Sequence, residues 1–546
     1  MPHVSAMAWR AIALLSVLQA CSHDAPSPGS PPDGGVVAGS VDAGNGGAGI
    51  PDVGDGGAGI PDAGDGGAGI PDGGPSAPDA GVSPDALGPT PAACPSGFDA
   101  LPTGDAPAAA VVDGHAGDAL AAAWEIRPAP GRAIAFGGVV DASGNVYWTE
   151  SPLDPAAGAP ELVSATRDGA IRFRAPVSTG PLLLAEVLVA SPSLAGGCAV
   201  APCAALEGHS LADGSRTWRR DLTGDLEPWM RTPGDARYAA LSGLAASSGR
   251  LLVGASLLDH VTLEHESGYV ALDAAMGDLL WSFRTSPVGN VFMSGAPLFA
   301  EEGTGYGSRT VDYLHDDLLR FPGVAPPVPL SSDASPWHGG VLAAYGVLLV
   351  TRAVDTGQGA GMPNGIEVRC RQDGSILAVA GTVRGEPLLG GASAWFFADV
   401  VSRHDVASGS LLWRVKPLPP PPVPPPGYRN AAPCASPPLL TSSGTILFID
   451  QQGQRGGSSA EQALGTPVLH EIDLDGRETL RRALPLETEC YGGPLALQGG
   501  RLFAGGQVTP SSGGVIRAFD LPVPREPAGR GWMGPGGSQA RDQRAR

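Results

Sequence analysis

From Gly249 onward, short apolar runs alternate with turns built on glycine and aspartate. Gly249-Arg-Leu-Leu-Val-Gly is followed by Gly268-Tyr-Val-Ala-Leu-Asp273 and then by Gly277-Asp-Leu-Leu-Trp281-Ser-Phe. The runs are too short and too β-prone for an amphipathic helix, and Asp273 to Gly277 carries turn chemistry. The unit therefore predicts short strands joined by tight turns.

Its last run recurs. Related endings stand at Asp168-Gly-Ala-Ile-Arg-Phe173, Asp213-Gly-Ser-Arg-Thr-Trp218, Asp317-Leu-Leu-Arg-Phe321, Asp373-Gly-Ser-Ile-Leu377, Gly409-Ser-Leu-Leu-Trp413 and Asp475-Gly-Arg-Glu-Thr-Leu480. These predict outer strands. Gly144-Asn-Val-Tyr-Trp148, Gly444-Thr-Ile-Leu-Phe448 and Gly499-Gly-Arg-Leu-Phe503 echo the first run, and Pro297-Leu298, Pro387-Leu388, Pro438-Leu439 and Pro494-Leu495 predict where inner strands open. A supersecondary unit repeating on this scale signals a propeller or a solenoid.

Trp124, Phe173, Trp218, Trp281, Arg320, Leu377, Trp413 and Leu480, taken as outer-strand markers, predict an all-β fold. It is a β-propeller of eight four-stranded blades, or seven if the weak unit around Arg320 is not one. The last unit reaches Ile516-Arg-Ala-Phe-Asp520 without an outer strand, while Ala122-Ala-Trp124-Glu-Ile126 stands upstream with no inner strands before it. Radial sheets that close on themselves leave no open edge, so these two pieces are expected to pair.

The run Ala271 to Trp281 reads Ala-Leu-Asp-x-x-x-Gly-x-x-x-Trp, which resembles the pyrroloquinoline-quinone-like (PQQ-like) propeller repeat. The resemblance covers about Phe98 to Leu521 and speaks to the fold rather than the activity. The superfamily it implies holds quinone-dependent alcohol dehydrogenases, a lipoprotein of the outer-membrane barrel-assembly machinery, and envelope proteins with no known chemistry. A dehydrogenase of this kind implies calcium and a catalytic aspartate beside the quinone, often with two adjacent cysteines. The chain has no adjacent cysteine pair.

Other candidate chemistry reads as structural. Glu301-Glu302 and Asp316-Asp317 read as solvated pairs, His260, His265 and His404-Asp405 as surface residues, and Asp473-Leu-Asp475-Gly476 as a turn rather than a calcium loop. There is no HExxH, GxSxG or phosphate loop. No catalytic residue, cofactor or metal site is expected.

The chain opens with Arg10 and the apolar run Ala11 to Leu18, too short to span a bilayer but long enough for a secretory segment. It ends Leu18-Gln-Ala20-Cys21, which resembles the bacterial lipobox. That resemblance implies a signal peptide over residues 1–20 and a lipid on Cys21, and Ser22 in place of aspartate implies the outer membrane of a Gram-negative bacterium. Residues 21–97 read as a disordered tether, because from Ser22 to about Ala93 there is no aromatic, lysine or arginine. GDGGAGIPD repeats there at Gly54 and Gly64, but Pro51, Pro61 and Pro71 disfavour a calcium-binding roll of strands. The propeller is expected over residues 98–521, with a disordered tail over 522–546.

Glycine and proline, 81 and 55 residues of 546, fit a tether joined to many turn-linked strands. A net charge of −21 without a basic stripe excludes nucleic acid as a partner. In an exported chain disulfides are permitted. Cys434 and Cys490 each precede the Pro-Leu of consecutive units by four residues and are expected to pair, and Cys198 and Cys203 could close a small loop. Cys370 aligns with Leu272 as a buried thiol, and Cys94 has no evident partner. The Pro417 to Pro426 run reads as a stiff loop. These features predict a lipid-anchored, non-enzymatic binding or scaffold module at the cell envelope that holds a protein, glycan or small molecule on a propeller face. The alternative is a quinone-dependent oxidoreductase.

Overall fold

The computed structural model describes residues between 94 and 527, with several loops in that range excepted. The smaller of the chain's two units, His23–Leu87, lies outside the described residues. So do residues 1–20, Cys21, Cys198, Cys203, Cys490, the Pro417 to Pro426 run and residues 528–546. Cys434 lies in the short strand Cys434–Ala435, paired with Gln451.

Among the described residues, the named elements are strands apart from a 3-10 turn at Pro155–Ala157. The unit read from sequence forms an antiparallel meander of Ala236–Ser247, Arg250–Asp259, Glu264–Asp273 and Leu279–Arg284. Its last hairpin shows why the turn residues are needed. The Asp273 carboxylate accepts from the backbone N–H groups of Ala275 and Met276, and Gly277 stands at φ 73°. A Cβ on Gly277 would lie 2.6 Å from the Trp218 ring, so conformation and space both call for glycine.

Meanders of the same order occupy residues 132–176, 182–221, 298–333, 338–380 and 388–415. A further sheet takes Ala496–Gln498, Arg501–Gly506 and Val515–Asp520 from one end of the chain and Ala122–Ile126 from the other, with Trp124 opposite Ala518. Innermost strands touch in succession from Arg132–Val140 through Leu182–Leu184, Ala236–Ser247, Leu298–Phe299, His338–Ala344 and Leu388–Gly390 to Leu439–Leu440. Ala496–Gln498 returns the contact to Arg132–Val140. The core lies between sheets: Leu447 and Leu469 pack with Leu497 and Phe519, and Trp148 and Val163 with Phe503 and Ile516. This is a β-propeller.

Two expectations about the blades need correction. Among the described residues six sheets have four strands each, where eight, or seven, four-stranded blades were expected. The difference lies in two sheets whose meanders carry added strands. Val288–Gly289 joins Glu264–Asp273, while the sheet built on Ile446–Gln451 gains Cys434–Ala435 and, in parallel, Ala116–Gly117. Sheet edges accept any strand that reaches them. The second correction is Arg320, which is not on an outer strand. His315–Phe321 pairs on both sides, and the outer strand is Val328–Asp333, reached through a proline-rich linker that lacks the repeat's Asp-Gly turn.

Candidate functional site

The outer strands carry the aromatic residues that join one sheet to the next. Trp124 lies against Gly169, Phe173 against Gly214, Trp218 against Gly277 and Trp413 against Gly476, each glycine being in the outer hairpin of the following sheet. The three indoles donate to carbonyls in those hairpins: Trp124 Nε1 to Arg167 O at 2.8 Å, Trp218 Nε1 to Ala274 O at 3.2 Å and Trp413 Nε1 to Leu474 O at 2.6 Å. Each aromatic thus buries its ring and satisfies its polar edge across a sheet boundary.

The outer strand Ile376–Ala380 has no such ring; Ala378 stands four residues after Gly374, as Trp413 does after Gly409. A segment from the N-terminal side fills that step. Phe98 stacks on His404 with centroids 5.1 Å apart, meets Phe396 edge-on at 6.3 Å, and packs on the same core cluster as Ala378. A Cβ on Gly409 would collide with the backbone of Gly97 and Phe98. Asp99 clamps the segment, its N–H donating to Gly409 O at 2.8 Å and its carboxylate accepting from Leu411 N at 2.7 Å.

Further along, this strap exchanges backbone hydrogen bonds with Lys416 and Glu478, pairs at Ala116–Gly117 with Arg481 and Arg482, and passes into Ala122–Ile126. Its start is held covalently by a disulfide between Cys94 and Cys370. The reading of Cys370 as a free buried thiol, and of Cys94 as unpartnered, is therefore corrected. Cys370 also belongs in register with Asp273 rather than Leu272, since its N–H and carbonyl bond Ser375 O and Gly374 N as those of Asp273 bond Asp278 O and Gly277 N. The propeller's covalent frame begins at Cys94, before Phe98.

Ionisable groups are buried inside the sheets. Glu207 and His209 share a strand face, and His209 Nδ1 lies 3.0 Å from Gly214 O while Nε2 lies 3.4 Å from Glu207. Glu367 and Arg369 repeat the arrangement, with Arg369 Nη1 donating to Gly374 O at 3.1 Å and Nε to Glu367 at 2.8 Å. Glu150 accepts from Trp148 Nε1 and Arg174. Burial pushes the Glu478 carboxyl up, but hydrogen bonds from His470 at 2.6 Å and Arg481 at 2.8 Å outweigh it and hold the group below its ordinary range.

His404 departs from this pattern. It is fully buried rather than on the surface, Ser402 stands where the others have glutamate, and neither ring nitrogen meets a hydrogen-bond partner. Burial pushes its pKa down to about 4, against the opposing pull of the Gly409 backbone and, less, of Asp99, so the ring is neutral. Asp317, read as solvated, is buried as well, because its strand is an interior one. The Asp473 turn is as read, with the carboxylate accepting from Asp475 N and Arg477 N. The Glu-x-His and Glu-x-Arg spacings at 207–209 and 367–369 place both groups on one strand face and were visible in the sequence.

A cavity of about 220 Å³ opens where the sheet ending in Glu478–Ala483 meets the chain leaving Val515–Asp520. Leu480, Leu521, Pro522 and Val523 wall it, and Glu471 and Arg525 lie at its polar side. Arg525 Nε donates to Glu471 Oε1 at 2.6 Å, and Thr445 Oγ1 donates to the same oxygen at 2.7 Å. Among the described residues no group of three or more histidine, cysteine or acidic side chains is placed to hold a metal ion. Among them too, no helix is long and apolar enough to cross a membrane.

No family model and no curated protein matches the chain. Among solved structures it is similar to Sqt1 from Chaetomium thermophilum, at 11% identity and a TM-score of 0.38, covering 73% of this chain and 100% of that one. It is also similar to the exotype rhamnogalacturonan lyase YesX, at 11% identity and 0.35, covering 74% and 75% of the two chains. A third is the Hadza microbial sialidase Hz136, at 10% identity and 0.32, covering 69% and 76%. Unrelated activities share such folds, and no activity is carried over from these proteins.

Proposed function

We propose that the chain is a lipid-anchored, non-enzymatic β-propeller serving as a binding or scaffold module at the cell envelope. The lipid is on Cys21, and the membrane is the outer membrane of a Gram-negative bacterium. The observation that carries the envelope assignment is the Cys94–Cys370 disulfide, a bond that persists in oxidising compartments and is rare in the cytosol.

The binding role draws support from the buried acids. Catalytic acids and bases sit in clefts with perturbed pKa values and room for a substrate. Here Glu150, Glu207, Glu367 and Glu478 are paired with arginines at the sheets. A propeller face is left to hold a protein, a glycan or a small molecule.

Mass spectrometry of the protein from native membranes tests the anchor: an acylated Cys21 as first residue is expected, and an unmodified mature terminus overturns it. Adding pyrroloquinoline quinone and calcium to the purified protein is expected to leave its visible spectrum equal to the sum of the parts. A new bound chromophore would return the reading to an oxidoreductase.

A further inference from the structure

His404 is buried beneath a segment that comes from far upstream, and it lacks the partner its counterparts have. His209 faces the Glu207 carboxylate at 3.4 Å and His470 the Glu478 carboxylate at 2.6 Å, so each has a counter-ion within reach when its ring is charged. Ser402 takes the place that Glu207 fills, and neither its hydroxyl nor either nitrogen of His404 has a hydrogen-bond partner. Phe98 lies flat on the ring, with centroids 5.1 Å apart and planes 17° apart, and Phe396 meets it edge-on at 5.3 Å. The cluster around both phenyl rings is apolar, with Val368 and Ala378 supplied by the preceding sheet. Among the described residues, the charge that acts on His404 is that of Asp99, on the strap itself. On its own strand, Arg403 turns to Ser393 and Leu474, and the Asp405 carboxylate is held by Ser408.

We propose that His404 makes the Phe98–Asp99 strap an acid-released latch: when the ring takes up a proton, Phe98 lifts off it and lets the charge reach water, while the Cys94–Cys370 disulfide keeps the segment attached. A charge left unpaired in an apolar core is costly, and lifting one side chain is the shortest way to hydrate it. The contacts to be broken are local. Asp99 N–H donates to Gly409 O and Leu411 N–H donates to the Asp99 carboxylate, while Ala109, bonded to Lys416 O, fixes the far side. Covered, the ring titrates at about 4; hydrated, it titrates near 6.5. Protons therefore favour the open form as pH falls below about 6.5, and between pH 7.5 and 5 the opening constant should rise about 30-fold. Opening uncovers the step between the two sheets at Phe396, so acid changes what this edge of the propeller presents.

Hydrogen exchange of the full chain, read by mass spectrometry and corrected for the intrinsic pH dependence of amides, tests the latch. Peptides covering Asp99 and Leu411 should gain about 30-fold in opening constant from pH 7.5 to 5, while those covering Val270, in a sheet remote from the strap, should change less than about twofold. His404→Phe should hold the strap peptides flat. Asp99→Asn, which keeps an acceptor for Leu411 and loses the charge, should still open in acid. A flat profile in the parent overturns the proposal. So does an equal rise at Val270, which would mean general loosening, or a rise that survives in His404→Phe. Should His404→Phe fail to fold, Asp99→Asn decides, since loss of its acid response would make the carboxylate the trigger.

Discussion

A buried neutral histidine makes stability depend on pH in a direction that can be worked out. His404 has a pKa of about 4 in the folded chain and near 6.5 when unfolded. Between those values the unfolded chain binds a proton that the folded chain does not. The contribution is therefore fully present above about pH 6.5, is lost as pH falls towards 4, and is constant below. Its size is on the order of 3 kcal/mol. Urea unfolding from pH 7.5 to 4 measures it, and His404→Phe, which keeps the ring stack on Phe98, should flatten that slope. At Gly277, substitution by alanine meets both a positive φ and the Trp218 ring. A loss of about 2 kcal/mol is expected by chemical denaturation. The glycine was legible from its turn; the histidine was not. Its burial comes from Phe98, far upstream in sequence, and nothing in Val401-Ser-Arg-His-Asp405 announces that cover.

At the scale of elements, the strap and the sheets differ in how much local sequence reveals them. Inner strands opening at Pro-Leu and outer strands ending at Gly-x-x-x-Trp are set by turns within a few residues, so they could be read directly. The sheet over residues 298–333 was misread because its outer hairpin is a proline-rich linker, with no aspartate-glycine turn to mark it. The Cys94–Cys370 bond was out of reach because it joins residues 276 apart along a path that only the folded ring defines. Closing so long a loop is worth up to about 5 kcal/mol on a chain-entropy estimate. Dithiothreitol, or Cys94→Ser, should therefore lower the melting temperature clearly, and an unaltered melt would show that the strap adds nothing. Phe98→Ala should cost about 2 kcal/mol by itself. Combined with Cys94→Ser the losses should not add, since both free the same segment.

For the whole molecule, closure is the decisive property. Deleting residues through Arg127 removes the strap and the strand that pairs with Val515–Asp520. The remaining sheets should melt at a much lower temperature, and the bared edge should drive self-association visible by size-exclusion chromatography. A truncated chain that stays monomeric and equally stable would mean that the ring does not depend on its closing strand. The closure also has a mechanical side. Any pull on residues ahead of Cys94 arrives first at a covalent bond to Cys370, on a sheet remote in sequence from the seam, and only afterwards at the hydrogen bonds of Ala122–Ile126. The closing strand is thus shielded from load, and reducing the disulfide would turn the same pull into a force that peels the ring open from its end.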